Sequence, residues 1–141
     1  MLFRSFVNSS DTHLVSIQHE YGIFGGNDGS YILDVFLSAL RKPAIATLHT
    51  VLENPTWSQR EIVQGMAECC ERLVVMSELA LDLLKDSYDI TPEMIQLIPH
   101  GIPNLPLGER DRHKASFDLN GRQVLLTFGL LSPDRKSTRL N

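Results

Sequence analysis

Apolar residues gather in five short runs: Leu14-Val15-Ser16-Ile17, Ala44-Ile45-Ala46-Thr47-Leu48, Leu73-Val74-Val75-Met76, Ile95-Gln96-Leu97-Ile98 and Val124-Leu125-Leu126-Thr127-Phe128. They are continuous rather than alternating, which predicts strands buried on both faces of a parallel sheet. Between the runs the spacing becomes helical. Tyr31, Ile32, Val35, Phe36, Ala39 and Leu40 share one stripe, Asp34, Ser38 and Arg41 lie opposite, and Pro43 closes the helix. Ser58 and Glu61 stand at capping-box spacing, predicting a helix that turns Ile62, Met66 and Cys69 inward. Ser77 separates the third run from a helix bearing Leu79, Ala80, Leu83 and Leu84. This cadence predicts repeated βαβ units, an α/β fold with a Rossmann-like, doubly wound parallel sheet. After Ile98 the texture changes. Pro99, Gly101, Pro103, Pro106 and Gly108 form a stiff connector leading to residues 114–119, and a fresh strand at Val124 begins a second domain.

Composition narrows the class of protein. The 141 residues suffice for one compact domain and are too few for two of ordinary size. With 13 Lys+Arg against 17 Asp+Glu, a broad basic footprint for nucleic acid is absent. No apolar run approaches the roughly 20 residues that cross a bilayer, and the first residues lack the pattern of a signal peptide. Cys69 and Cys70 are adjacent and form no ordinary staple. A reducing, cytoplasmic setting is expected.

Ligands of doubly wound sheets bind beyond the carboxyl ends of the strands. Past the first run stand His19 and Glu20, then Gly22, Gly25, Gly26 and Gly29. Past the second stand His49 and Thr50, past the third Ser77, and past the fourth His100 and Gly101. Three of the five histidines therefore fall on one rim. The glycine-rich stretch followed by a helix start suits an anion such as phosphate, and a tight strand-to-helix turn accounts for the same residues. It is neither a dinucleotide fingerprint nor a Walker loop. His19, Glu20, His49 and His100 could be gathered round a metal, but no zinc-like ligand spacing is present. His49 suits either a core histidine donating to a carbonyl or a functional group. Ser77 is first an N-cap. No serine lies in a G-x-S-x-G elbow, no partner activates Cys69 or Cys70, and Trp57 is expected to anchor the start of its helix.

The strings Gln18-His19-Glu20-Tyr21-Gly22-Ile23-Phe24-Gly25-Gly26, Thr47-Leu48-His49-Thr50-Val51-Leu52, Val74-Val75-Met76-Ser77, Ile98-Pro99-His100-Gly101-Ile102-Pro103 and Phe128-Gly129-Leu130-Leu131-Ser132-Pro133 occur in that order. Together they resemble the family 4 retaining glycosyltransferases of GT-B fold, from about Phe6 to Pro133. The resemblance implies two Rossmann-like domains facing across a cleft, with a nucleotide-sugar donor on the C-terminal one and a sugar, lipid or glycan acceptor on the N-terminal one. It implies metal-independent transfer, with positive side chains and helix N-termini neutralising the leaving diphosphate. By motif, His49 would face the donor sugar and support an oxocarbenium-like transition state. His19, Glu20, Gly25 and Gly26 would shape the acceptor side, Thr50 and Ser77 would line the cleft, and His100 and Gly101 would mark the approach to the interdomain crossover.

On this resemblance residues 1–105 are a partial N-terminal domain with its linker, and residues 106–133 the start of the donor-binding domain. Residues 134–141 resemble translated sequencing-adapter sequence, so Arg135 and Lys136 receive no phosphate role. Family members begin with an earlier strand and glycine-rich loop, and continue past Gly-Leu-Leu-Ser-Pro as Gly-Lys-Gly; neither is present in this sequence. Glu53 and Glu61 share the seven-residue spacing of the family's donor-binding glutamates but lie in the other domain. The expectation is a glycosyltransferase fragment, inactive by itself; the alternatives are a half-domain working with a partner chain and an unrelated nucleotide-binding enzyme such as an epimerase. Against the last, no dinucleotide fingerprint occurs in the chain.

Overall fold

In the computed structural model, which describes residues 2–104 and 108–126, two units divide between Gly101 and Ile102. The first unit contains helix α1 (Leu2–Ser9), strand β1 (Val15–His19), β2 (Ala44–Leu48), α2 (Trp57–Cys69), β3 (Arg72–Val75), α3 (Glu78–Tyr88) and β4 (Ile95–Leu97). The four strands are all parallel, in the order β1-β2-β3-β4. This is the α/β, Rossmann-like architecture that the alternation of runs and stripes predicts.

The register shows which side of each strand packs. Val15, Ile17 and His19 align with Ala44, Ala46 and Leu48, Ala46 with Leu73, and Leu73 and Val75 with Ile95 and Leu97. Along that face lie Ile32, Leu37, Ile62, Val63, Met66, Leu84 and Tyr88, all buried in one core. The other face behaves differently from the expectation of double-sided burial. Around Val74 it presents Ser16, Gln18, Arg72 and Gln96 to solvent, with Ile45 and Thr47 half-buried. The strand order explains this. Each connection steps the same way along the sheet, and right-handed crossovers then lay successive segments on the same face.

The first crossover is not the regular helix its stripe predicts. It breaks into a 3-10 turn (Asn27–Gly29), a π-helical turn (Ile32–Phe36) and a second 3-10 turn (Leu37–Ala39). Changing the number of residues per turn rotates the stripe, so Ile32 and Leu37 are buried while Tyr31 and Val35 are exposed. Irregular turns leave carbonyls without helical partners, and α1 supplies them. Arg4 Nη1 donates to Val35 O at 2.7 Å, Asn8 Nδ2 donates to Ala39 O at 2.9 Å, and Phe3 stacks on Phe36 at 5.9 Å.

Helix α2 starts with a capping box built from Thr56 and Gln59, two residues before the expected pair. Thr56 Oγ1 accepts from Gln59 N at 3.2 Å, and Gln59 Oε1 accepts from Thr56 N at 2.9 Å. Ile62, Val63 and Met66 point inward, but Cys69 is exposed and Cys70 takes the buried place. Burial pushes the Cys70 thiol up to about 12, so it stays protonated and inert. Trp57 is 77% exposed, so it is not packed as the expected anchor of the helix start. Ser77 caps α3 as expected, its Oγ accepting from Ala80 N at 3.2 Å. That helix buries Leu84 and Tyr88, leaves Leu79 exposed, and ends at Asp89 in the left-handed region, where Arg60 pairs with the Asp89 carboxylate.

In the second unit, α4 (Arg110–Ser116) carries no buried residue. Val124, Leu125 and Leu126 form no strand there and are exposed. Thr127 and Phe128, the motif at 128–133 and the tail at 134–141 lie outside the described residues, as does Pro106. Among the described residues no helix is long and apolar enough to cross a membrane.

Candidate functional site

The carboxyl ends of β2 and β3 and the residues after β4 enclose a cleft of about 380 Å³. Leu48 and Val51 contribute its apolar floor, and Met76, Leu79 and Leu83 an apolar wall. Its polar groups come from His49, Thr50, Ser77 and His100. Strand ends point these residues outward because each apolar run stops there and the chain turns toward its crossover.

Two of the polar groups are held by β1 and the residue after it. His49 Nε2 donates to Gln18 Oε1 across 2.8 Å, leaving Nδ1 as the acceptor of the neutral ring. Gln18 is itself steadied by Ser16 Oγ at 3.2 Å and Thr47 Oγ1 at 3.4 Å. Thr50 Oγ1 donates to Glu20 Oε2 at 2.9 Å, which brings Glu20 to the rim. The loop after His49 is tied to α3 by the buried Tyr88. Its hydroxyl accepts from Leu52 N at 3.1 Å, donates to Leu52 O at 3.2 Å, and meets Tyr21 Oη at 3.3 Å. Burial and the Tyr88 hydroxyl push the Tyr21 phenol well above its usual range, so it stays neutral.

The remaining expected site residues stand elsewhere. His19 is fully buried beneath the rim, facing the core rather than the cleft. Burial lowers its pKa, with Glu20 opposing and His49 adding to the shift. Gly25 and Gly26 have φ of 73° and 75° and are covered by Tyr31: a Cβ at Gly25 would meet Tyr31 Cδ2 at 3.0 Å. The Tyr31, Leu33 and Asp34 amides donate within the segment itself, to Gly25 O and Ser30 O. Gly101 is exposed with open space around it. Among the described residues no group of three or more His, Cys, Asp or Glu is placed to hold a metal.

Gln18, Leu52, Tyr21 and Tyr88 also support the site, though no residue type or spacing in the sequence marks them as site residues. Gln18 precedes His19 in the first motif, but its partner across the sheet depends on register. A second cavity of about 390 Å³ lies away from the strand ends, between α1, β1 and residues 31–36. Its lining is dominated by Phe3, Val7, Phe24, Ile32, Val35 and Phe36, with few groups able to orient a polar ligand.

The fold and cleft thus define an α/β domain with a parallel sheet and a mixed polar and apolar site at its carboxyl edge. Comparison with protein-family models, with curated proteins and with solved structures finds no match in any of the three.

Proposed function

We propose that this chain supplies the acceptor-side half of a family 4, GT-B-fold retaining glycosyltransferase working in the cytoplasm. The complete enzyme moves a hexose from a nucleoside diphosphate to a sugar, lipid or glycan hydroxyl. The observation that supports the reading is the meeting of His49, Thr50, Ser77 and His100, drawn from three separate motifs, in one cleft at the strand ends. In the reaction the bond from the sugar's anomeric carbon to the diphosphate oxygen breaks. The acceptor hydroxyl bonds to that carbon on the same face, and its proton passes to the departing diphosphate. His49, oriented by Gln18, offers Nδ1 to a sugar hydroxyl and steadies the developing positive charge. Positive side chains and helix N-termini of the other half neutralise the diphosphate, so no metal is required.

A long sequencing read across the locus tests this. In-frame Gly-Lys-Gly beyond Pro133, followed by two glutamates with seven residues between them, is the expected result. Stop codons on both sides of residues 1–141 overturn the catalytic reading. The purified chain should transfer no sugar, and donor-dependent transfer by it alone would contradict the assignment of the donor site to another half. The solvent-facing row Ser16, Gln18, Arg72 and Gln96 favours a second reading, a half-domain covered by a partner chain. Under that reading a neighbouring reading frame encodes the lysine and the paired glutamates.

A further inference from the structure

His19 is the fully buried polar side chain of the described core, and neither of its ring nitrogens has a hydrogen-bond partner among the described residues. A neutral imidazole carries one donor and one acceptor, so both are unmet in the closed fold. We propose that residues 20–31 form a latch over His19, closed on the neutral ring and opened when the ring takes up a proton.

Two aromatic side chains cover the ring. Phe24 stacks on it at 6.1 Å with planes 10° apart, and Tyr21 meets it edge-on at 5.1 Å and 84°. Both covers belong to the loop. Behind the ring, β1 is fixed to β2, with His49 N donating to His19 O at 3.0 Å. The loop is hinged on Gly22, Gly25, Gly26 and Gly29, all with φ between 73° and 90°. Thr50 Oγ1 holds Glu20 at 2.9 Å, but the side-chain tethers beyond it are long. Gln59 Nε2 reaches Asp28 Oδ1 at 3.3 Å and Tyr21 Oη reaches Tyr88 Oη at 3.3 Å, and at its far end Leu33 N reaches Ser30 O at 3.0 Å; within the loop Ile23 N to Glu20 O is 3.4 Å and Tyr31 N to Gly25 O 3.3 Å. Strand contacts such as Val15 N to Pro43 O are 2.9 Å, nearer the optimum. Hydrating the ring by moving the loop therefore breaks weaker bonds than parting the strands.

The charged and titratable neighbours set the balance. Glu20, the next residue, favours the protonated ring, and His49 at the end of β2 disfavours it. Tyr21 is neutral, with Tyr88 and Asp28 acting on its phenol. Burial outweighs the carboxylate, which keeps the closed ring neutral. Opening delivers an imidazolium to the end of β1, next to Glu20 and the cleft rim.

Hydrogen exchange of the 141-residue chain, corrected for intrinsic rates, tests the latch. An open ring titrating at about 6.5 makes opening about tenfold more frequent at pH 5.5 than at pH 7.5. Residues 20–31 should show that increase and exchange at least about tenfold faster than 44–48 and 72–75 at both pH values. The His19→Phe variant should lose the pH step in the loop. Equal exchange of the loop and the strands, a pH-independent loop in the native chain, or an unchanged step in the variant each overturn the proposal. Should His19→Phe not fold, an NMR titration of the native chain decides. A His19 midpoint below about 6.5, shared by the signals of residues 20–31, supports the latch. A midpoint at or above that value, or loop signals that do not follow it, refutes it.

Discussion

Replacing Tyr88 by Phe removes one oxygen and leaves the ring's packing intact. That oxygen serves both backbone groups of Leu52, at 3.1 Å and 3.2 Å, and touches Tyr21 Oη at 3.3 Å. Without it the Leu52 amide and carbonyl and the Tyr21 hydroxyl all lose a partner. Leu52 is half-buried, so water can recover part of the loss. One net hydrogen bond is worth about 0.5–1.5 kcal/mol, and each buried group left unmet costs about 1–3 kcal/mol. The expected destabilisation is therefore about 1–3 kcal/mol, several degrees or more in Tm for a unit of this size. Urea unfolding followed by far-UV circular dichroism should show a lower midpoint with an unchanged slope. Exchange of the Leu52 amide should quicken by more than that of the β3 amides, because the loop carrying His49 and Thr50 has lost its tie to α3. Tyr21→Phe removes only the 3.3 Å contact and should cost less. A change below about 0.5 kcal/mol in Tyr88→Phe, with Leu52 still protected, would show that the hydroxyl does not hold this loop.

Three further outcomes can be read by the same denaturation experiments. Thr56→Ala should cost about 1 kcal/mol through loss of the capping box, whereas Ser58→Ala should stay within about 0.5 kcal/mol. Equal effects would move the cap back to Ser58. Gly26→Ala should destabilise by about 1–2 kcal/mol because its φ is 75° and the new methyl would press on Ser30 and Tyr31. Gly101→Ala, in open space, should be nearly neutral, and a similar loss at both sites would rule out this cause. For pH, the folded His19 has a depressed pKa, so the unfolded chain binds more protons between that value and about 6.5. Its contribution to stability is then complete above about pH 6.5 and is lost as pH falls toward the folded value. The His19→Phe variant should show a shallower loss across that window, and an equal slope would remove His19 as the cause.

Strand β2 is legible to the residue because Ala44–Leu48 is an unbroken apolar run beside Pro43. Strand β1 is less so, since the run suggests a start at Leu14 while pairing extends through Gln18 and His19. Parity explains the difference. Continuous runs do not reveal which alternate residues face the helices, so His19 reads as a rim residue although its side chain shares the packed face with Ile17. The first crossover departs from its stripe for a related reason, because a stripe spaced for 3.6 residues per turn holds only where each turn has that pitch. At α2, two overlapping capping patterns stand in the sequence, and only the extended backbone at Thr56 decides between them. His49, Thr50, Ser77 and His100 could be found from sequence because ends of strands follow from ends of runs. The links from Gln18 to His49 and from Glu20 to Thr50 could not, since they require the pairing of two strands about 30 residues apart.

The chemistry of the cleft also limits what it could hold. Ser77 accepts from Ala80 N and still has its own proton to donate, and His49 keeps Nδ1 as an acceptor. Thr50 is committed to Glu20, a carboxylate that would repel an anion at the rim. Among the described residues no Lys or Arg lines the cleft. The N-terminus of α3 offers about half a positive charge, too little for a diphosphate without a cation beside it. Apolar Leu79 and Leu83 beside hydroxyl, carboxylate and imidazole groups instead suit a neutral, hydroxyl-rich ring. Titration of the histidine-labelled chain with a neutral hexoside should therefore move the His49 and His100 signals, while a nucleoside diphosphate at the same millimolar concentration should leave them in place. If the nucleotide shifts those signals and the hexoside does not, the cleft is an anion site, and the acceptor-side assignment fails with it.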